Sequence, residues 1–296
     1  MRRIYKKLIM KSGLIFLLSF LSFISFSQTE TANASTTTTN TKLTFSQKLK
    51  KGDFYFLWGY TRAKYSKSTI QFKDRSNTYY PETGRYHDYD FTIYEATAKD
   101  RPDFDQIYDV ANITIPQFVA RVGFYFNNKQ DFGVELNYDH TKYVVNNYQK
   151  VHIEGTLNGD YVNKDTILDP DNFLHYEHTD GANFWMVNFI KRWKFYEPSK
   201  LFNIGLIGKP GAGVVIPRTD VTIYGTRVNN NWNLAGWIVG AEGGIRVEFL
   251  KYGVFEFVGK GSYADYRRGY ILGKGGGRSN HHFFTAQLTM TIGATF

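Results

Sequence analysis

From Phe284 to Phe296 the even positions read Phe, Ala, Leu, Met, Ile, Ala, Phe, and the odd ones Thr, Gln, Thr, Thr, Gly, Thr. A period of two held that long is a strand with one apolar and one polar face. The same texture recurs in Phe54 to Ser66, Pro116 to Phe126, Asp131 to Val145, Asn183 to Phe195, Leu201 to Val215, Leu234 to Leu250 and Tyr252 to Arg267. With His282 to Phe296 that makes eight strands. Short turns near 127–130, 197–200 and 251–253 alternate with long connections at 67–113, 147–180, 217–231 and 268–280. An even strand number with short turns on one side and long loops on the other predicts an all-β fold, an eight-stranded antiparallel barrel. Within the first long connection Tyr89 to Tyr94 alternates and predicts a short strand or hairpin, with a turn at Asp100 to Asp105 after it.

Parity then places the charges. On Leu234 to Leu250 the outward set is Ala235, Trp237, Val239, Ala241, Ile245, Val247 and Phe249; the inward set includes Glu242, Arg246 and Glu248. The same rule puts Arg62, Lys64, Arg121, Glu135, Asn137, Arg192, Lys209, Glu256 and Lys260 inside, so that seven bases face four acids. Unpaired buried charge is costly, so the two signs are expected to neutralise one another, with the surplus bases near water or an anion. Eight strands leave an interior just filled by side chains, which favours a salt-bridged plug over a narrow small-solute, porin-like pore. A soluble lipocalin-like barrel needs an apolar lumen, the opposite of this parity. The expectation is a transmembrane β-barrel of the outer-membrane type with long extracellular loops, with Trp58, Trp185, Trp193, Trp232 and Trp237 suited to its aromatic girdles.

Composition agrees and removes alternatives. The 296 residues hold 25 Phe, 22 Tyr, 5 Trp and 27 Gly but no Cys, which excludes a disulfide scaffold and Cys-based metal sites. A mean hydropathy of −0.39 argues against a bundle of membrane helices. The net charge of +9 is mostly export signal: Arg2, Arg3, Lys6, Lys7 and Lys11 precede an apolar run from Leu14 to Phe26, ending in Ser25-Phe26-Ser27. The expected organisation is a signal peptide at 1–27, a flexible Ser/Thr/Asn-rich periplasmic leader at 28–50 and the barrel at 51–296. Removing five bases leaves the mature chain at +4, so the basic pI does not point to nucleic acid.

Candidate chemistry collects at the predicted extracellular rim. His140, His175, His178, His281 and His282 fall there, with Asp139, Lys142, Glu177, Asp180 and Ser279 beside them. A ligand site would draw on Asp139, His140, Lys142, His178, Asp180, His281 and His282. A hydrolytic site would draw on His140, Ser279 and His281. Barrels that deacylate lipid A carry His-x-Ser on a late strand; Ser279-Asn280-His281-His282 departs from that order, and no acidic third member is assigned. His140, on the outward parity beside Lys142, equally suits a lipid phosphate. No ligand spacing matches a metal motif, and neither metal nor cofactor is expected. Asp169-Pro170-Asp171 lacks the register of a calcium loop and reads as a turn. Gly273 to Gly277 has no following helix and is no phosphate loop.

The words Asp100-Arg101-Pro102, Thr114-Ile115-Pro116-Gln117, Asp139-His140-Thr141-Lys142-Tyr143-Val144 and His178-Thr179-Asp180-Gly181-Ala182-Asn183-Phe184-Trp185 resemble uncharacterised eight-stranded outer-membrane barrels of Bacteroidetes-type bacteria. The terminal Phe296 also resembles the C-terminal strand signature of bacterial outer-membrane barrels. The resemblance spans nearly the whole mature chain. It implies fold and a Gram-negative cell-envelope location and brings no activity with it. The expectation is therefore a monomeric outer-membrane barrel with a binding or envelope-structural role rather than an enzyme. Its partners would be lipopolysaccharide or another surface protein, met through loops 67–113 and 147–180.

Overall fold

Alternating Tyr, Phe, Val and Ile with polar residues between them leaves the chain little choice but sheet, and every regular element among the described residues is a strand. The computed structural model describes residues 54–81, 84–101, 117–126, 129–178, 180–272 and 276–296. The expected signal peptide and leader (1–50), residues 102–105 of the expected turn and residues 273–275 lie outside them. In chain order the strands are β1 (Phe54–Tyr65), β2 (Ser68–Tyr80), β3 (Arg85–Ala96), β4 (Ala98–Lys99), β5 (Phe118–Tyr125) and β6 (Phe132–His140). There follow β7 (Tyr143–Val145), β8 (Lys150–Leu157), β9 (Asp160–Ile167), β10 (Leu174–His178), β11 (Phe184–Ser199) and β12 (Phe202–Val215). The last are β13 (Asp220–Ile223), β14 (Thr226–Asn229), β15 (Gly236–Phe249), β16 (Gly253–Tyr270) and β17 (Arg278–Thr295).

Eight of these, β1, β5, β6, β11, β12, β15, β16 and β17, pair antiparallel in that order, and β17 pairs back with β1 to close a barrel. They are the eight strands that the alternation marks. Crossing from pair to pair, an outward row runs Phe56, Val122, Leu136, Val187, Ala212, Val239, Tyr263, Phe284. It reaches β1 again at Ser66, whose N–H donates to the Phe284 carbonyl, ten residues beyond Phe56. That stagger over eight strands sets a tilt of about 40°, within the range that closed barrels require.

Among the described residues, much of the long connections is sheet. Beyond the barrel, Arg278 to His281 of β17 pair with Lys73 to Ile70 of β2, and the sheet runs on through β3, β8 and β9. A second sheet, β14-β13-β10-β7-β4, belongs to the same apolar core. Ile70, Phe72, Phe91 and Ile93 from the first meet Tyr143, Tyr176, Val221 and Ile223 from the second, with Phe72 edge-on to Tyr176 at 5.2 Å. Each of the large side chains contributes about 1.5–3 kcal/mol on burial, so this sandwich is a folded cap in its own right. Its core continues onto the inward-facing Phe184, Ile238, Tyr266 and Phe283, which fill that end of the barrel with apolar side chains. The hairpin expected around residues 89–94 is thus two strands of 13 and 12 residues.

β6 ends at His140 rather than running to Val145, because the chain breaks at Thr141 and Lys142 and β7 joins the second sheet between β10 and β4. Where β8 crosses β3, Gly155 has φ of +137°, and a Cβ there would lie 2.2 Å from the Asp90 carbonyl oxygen, so no other residue fits. Asp169-Pro170-Asp171 is a turn, as expected: the Asp169 carboxylate accepts the N–H groups of Asp171 (2.9 Å) and Asn172 (3.1 Å).

Candidate functional site

The inward faces of β1, β5, β6, β11, β12, β15, β16 and β17 build a continuous ionic chain through the lumen. From the cap end, Lys260 Nζ meets Asp139 at 2.6 Å and Glu242 at 3.5 Å, and Arg121 holds Asp139 at 3.1 Å and Glu242 at 3.2 Å. Arg121 Nε lies 3.8 Å from Glu135. Lys209 then bridges Glu135 and Glu256, 2.7 Å to each, and Arg246 bridges Glu256 (2.8 Å) and Glu248 (3.0 Å), where Arg192 also binds. Neutral groups complete the chain: Tyr55 donates its O–H to Glu135 at 2.6 Å, and Asn137 and Asn188 donate amides to Glu242 and Glu135. The Arg246 guanidinium also lies over the Tyr55 ring, 4.4 Å from its centroid.

The membership differs from the expectation in two ways. Arg62 and Lys64 are not in the lumen: β1 is regular, its inward positions are Tyr55, Leu57, Gly59, Thr61 and Ala63, and Arg62 and Lys64 share the face of the half-exposed Trp58. Arg62 pairs there with Asp100 at 3.2 Å. Asp139, expected as a rim ligand, is instead fully buried in the network; it sits two residues past Asn137 on the inward parity, which is the signal that marks it. With those two bases out and one acid in, the described lumen holds five bases (Arg121, Arg192, Lys209, Arg246, Lys260) and five acids (Glu135, Asp139, Glu242, Glu248, Glu256).

The rim residues divide. His178 and His281 converge, stacked with ring centroids 5.6 Å apart and both packed on Tyr266. The Tyr176 hydroxyl joins them to Ser279: it lies 2.8 Å from Ser279 Oγ, 3.3 Å from His178 Nε2 and 3.4 Å from His281 Nδ1. All four are fully buried in the cap core, and burial pushes the His178 imidazole down to about 3. A Ser/His hydrolytic site needs an accessible nucleophile and an oriented base. Here Ser279 bonds only Tyr176 and the Gly269 carbonyl, and no carboxylate contacts either imidazole among the described residues.

The others go elsewhere. His140 faces outward, stacked on Phe118 at 5.1 Å; its Nδ1 donates to Asn183 Oδ1 at 2.8 Å, and Lys142 Nζ donates to its Nε2 at 3.1 Å. Asp180 pairs with Arg218 at 2.7 Å, and His282 is exposed beside the Tyr263 ring. His175 stands at a cleft of about 790 Å³ between the upper end of β1, residues 98–101 and β7. Lys64, Lys99, Asp100 and Arg101 line it. Burial raises the Asp100 carboxyl to about 6 although Arg62 and the Ala63 N–H both face it.

No protein-family model and no curated protein sequence matches the chain. Among solved structures it is similar to Ail, the attachment invasion locus protein of Yersinia pestis, solved with the heparin analogue sucrose octasulfate. That match has 10% identity over 83% of this chain and 100% of that one, with a TM-score of 0.29. It is also similar to Neisserial surface protein A, at 9% identity over 81% of this chain and 98% of that one, with the same TM-score.

Proposed function

We propose that the protein is a non-conducting outer-membrane barrel that displays a folded β-sandwich cap at the cell surface for a binding or envelope-structural role. The observation that carries this reading is an inside-out charge pattern: a buried, charge-matched lumen within a wall of exposed apolar side chains. Leu136, Val187, Trp193, Phe284 and Ile292 are each between 45% and 65% exposed on the outward face, more apolar surface than a water-facing barrel tolerates. A pore needs a wet axis, and five bases matched by five acids inside eight strands support a lumen closed to solutes. The expected results are heat-modifiable migration on gels, fractionation with the outer membrane and no steady conductance in planar bilayers. Stable channels would overturn the plugged lumen.

The wall itself is tested by Leu136→Arg, at the middle of β6 on the outward face. In a bilayer the change is expected to cost about 2–4 kcal/mol. On a water-facing barrel it would fall within about 0.5 kcal/mol, the usual range for a surface substitution. Urea titration of the protein folded into vesicles reads the difference, and a neutral result there sinks the membrane reading. The rival reading, a lipid A-modifying enzyme, is met by mass spectrometry of lipid A from cells with and without the protein. An unchanged acyl count is expected, since Ser279 and His281 are sealed in the cap.

A further inference from the structure

Two imidazoles sit at the seam where the cap joins the barrel. The first cap sheet is held to β17 by four residue pairs, Arg278 to His281 against Lys73 to Ile70, and His281 is the one nearest the barrel. The second sheet reaches the same point through His178, the last residue of β10, which pairs with Tyr143 of β7. The two rings stack 5.6 Å apart, and both lie against Tyr266 of β16. Tyr143 stacks on His281 as well, at 5.4 Å. Strands of both cap sheets and of the barrel therefore pack around one histidine pair.

Nothing around that pair balances a positive charge. His178 faces Tyr143, Tyr176, Tyr266, Thr219 and His281. His281 faces Tyr143, Tyr176, Tyr266, Phe283 and His178, and its chain neighbour His282 adds only another base. The two are 0% and 1% exposed, so these residues enclose them. His281 Nε2 has no hydrogen-bond partner, whereas an imidazolium carries a proton on both ring nitrogens and needs an acceptor for each. Burial pushes both imidazoles down, and the neighbouring bases push His281 further. The described lumen below holds no histidine, and its bases and acids hold one another. We propose that His178 and His281 form an acid-released latch: when they take up protons, the cap opens along the β17–β2 and β10–β7 seams while the barrel beneath stays closed.

A base that binds its proton less readily in the closed form draws the equilibrium toward the open form as the pH falls. The effect is about tenfold per pH unit for each such group below its ordinary pKa, and about a hundredfold for the pair. His87, which burial also lowers, and Asp100, which burial raises, act alike in parent and variants. The test is hydrogen exchange by mass spectrometry on the full-length protein in detergent, from about pH 6.5 to about 4.5, corrected for the intrinsic pH dependence of exchange. Peptides from β2 and β10 are expected to lose protection as the pH falls and to regain it at neutral pH, and those from β12 and β15 to keep it throughout. His178→Phe/His281→Phe is expected to flatten the loss by about a hundredfold per pH unit. His178→Gln/His281→Gln, uncharged at every pH, makes the same test if the phenyl pair does not fold, and His282→Gln on the exposed face is expected to change nothing. Barrel and cap losing protection together, or a double variant whose cap opens as steeply as that of the parent, overturns the latch. The measurement does not depend on where the cell places the chain.

Discussion

Lys209→Met is expected to destabilise the folded barrel by about 3–5 kcal/mol, the cost of removing one partner from a buried ionic network. The Lys209 ammonium is wholly buried and holds Glu135 and Glu256, 2.7 Å from each. A thioether of similar shape fills the space and leaves those two carboxylates facing each other. The loss is electrostatic rather than steric, so it should be recoverable. In Lys209→Met/Glu135→Gln the remaining charges pair off as two neutral groups, Lys260 and Arg121 with Asp139 and Glu242, and Arg246 and Arg192 with Glu256 and Glu248. The side-chain amide that Glu135→Gln introduces keeps a carbonyl oxygen to accept the Tyr55 hydroxyl, which now donates to Glu135 at 2.6 Å. Most of the lost stability is expected back in the double variant, read by urea titration of the gel-resolved folded fraction. A single variant as stable as the parent, or a double variant no better than the single, would refute a lumen held by charge matching.

The barrel is legible in the residues because one strand face is lipid-like and the other polar, so a period of two survives unbroken over each strand. The cap is legible only in part. The alternation from Tyr89 to Tyr94 marks the middle of β3, but the outward positions of β2 carry Lys73 and Arg75, which read as loop residues until β17 is seen to extend past the barrel and pair with that strand. β7, β10 and β13 are three to five residues long, and β10 pairs with the other two across about 33–49 residues of chain, too short and too distant for periodicity to register. Arg62 and Lys64 show the opposite error, in which residue type outweighs pattern. Charge suggests the lumen, but Trp58 on the same parity places them on the outer face. There the strand edge beyond β5 is free and Asp100 occupies it, accepting the Ala63 N–H. The rim histidines are separable neither by type nor by spacing. Only the meeting of β10 with the upper end of β17 brings His178 to His281 and leaves His140, His175 and His282 in three other environments.

That meeting is expected to make the cap acid-labile. His178 faces Tyr143, Tyr176, Tyr266, Thr219 and His281, with no carboxylate among them to favour a charged imidazole, and burial takes its pKa from 6.5 to about 3. A lowered imidazole pKa means that the unfolded chain binds the proton more readily. The contribution of His178 is therefore complete above pH 6.5 and is lost as the pH falls through that value toward 3, about 5 kcal/mol in all. Asp100 works in the other direction. Its carboxyl is raised to about 6 in the fold, so its contribution is complete below about 3.8 and is lost as the pH rises through 6, about 3 kcal/mol. Burial holds His281 well below 6.5 as well, so the net profile mixes their contributions, and the difference between the parent and His178→Phe isolates the His178 imidazole, since Asp100 and His281 are present in both. At pH 7.5 the variant is expected to be less stable by about 1–2 kcal/mol, having lost its hydrogen bonds to Thr219 and Tyr176. Near pH 4 the order should reverse, with the cap of the parent opening to protease and losing its near-ultraviolet tyrosine signal at a higher pH than that of the variant, which retains only the His281 imidazole of the pair. Parallel pH profiles for the two proteins would show that the buried imidazole does not set the acid limit of the cap.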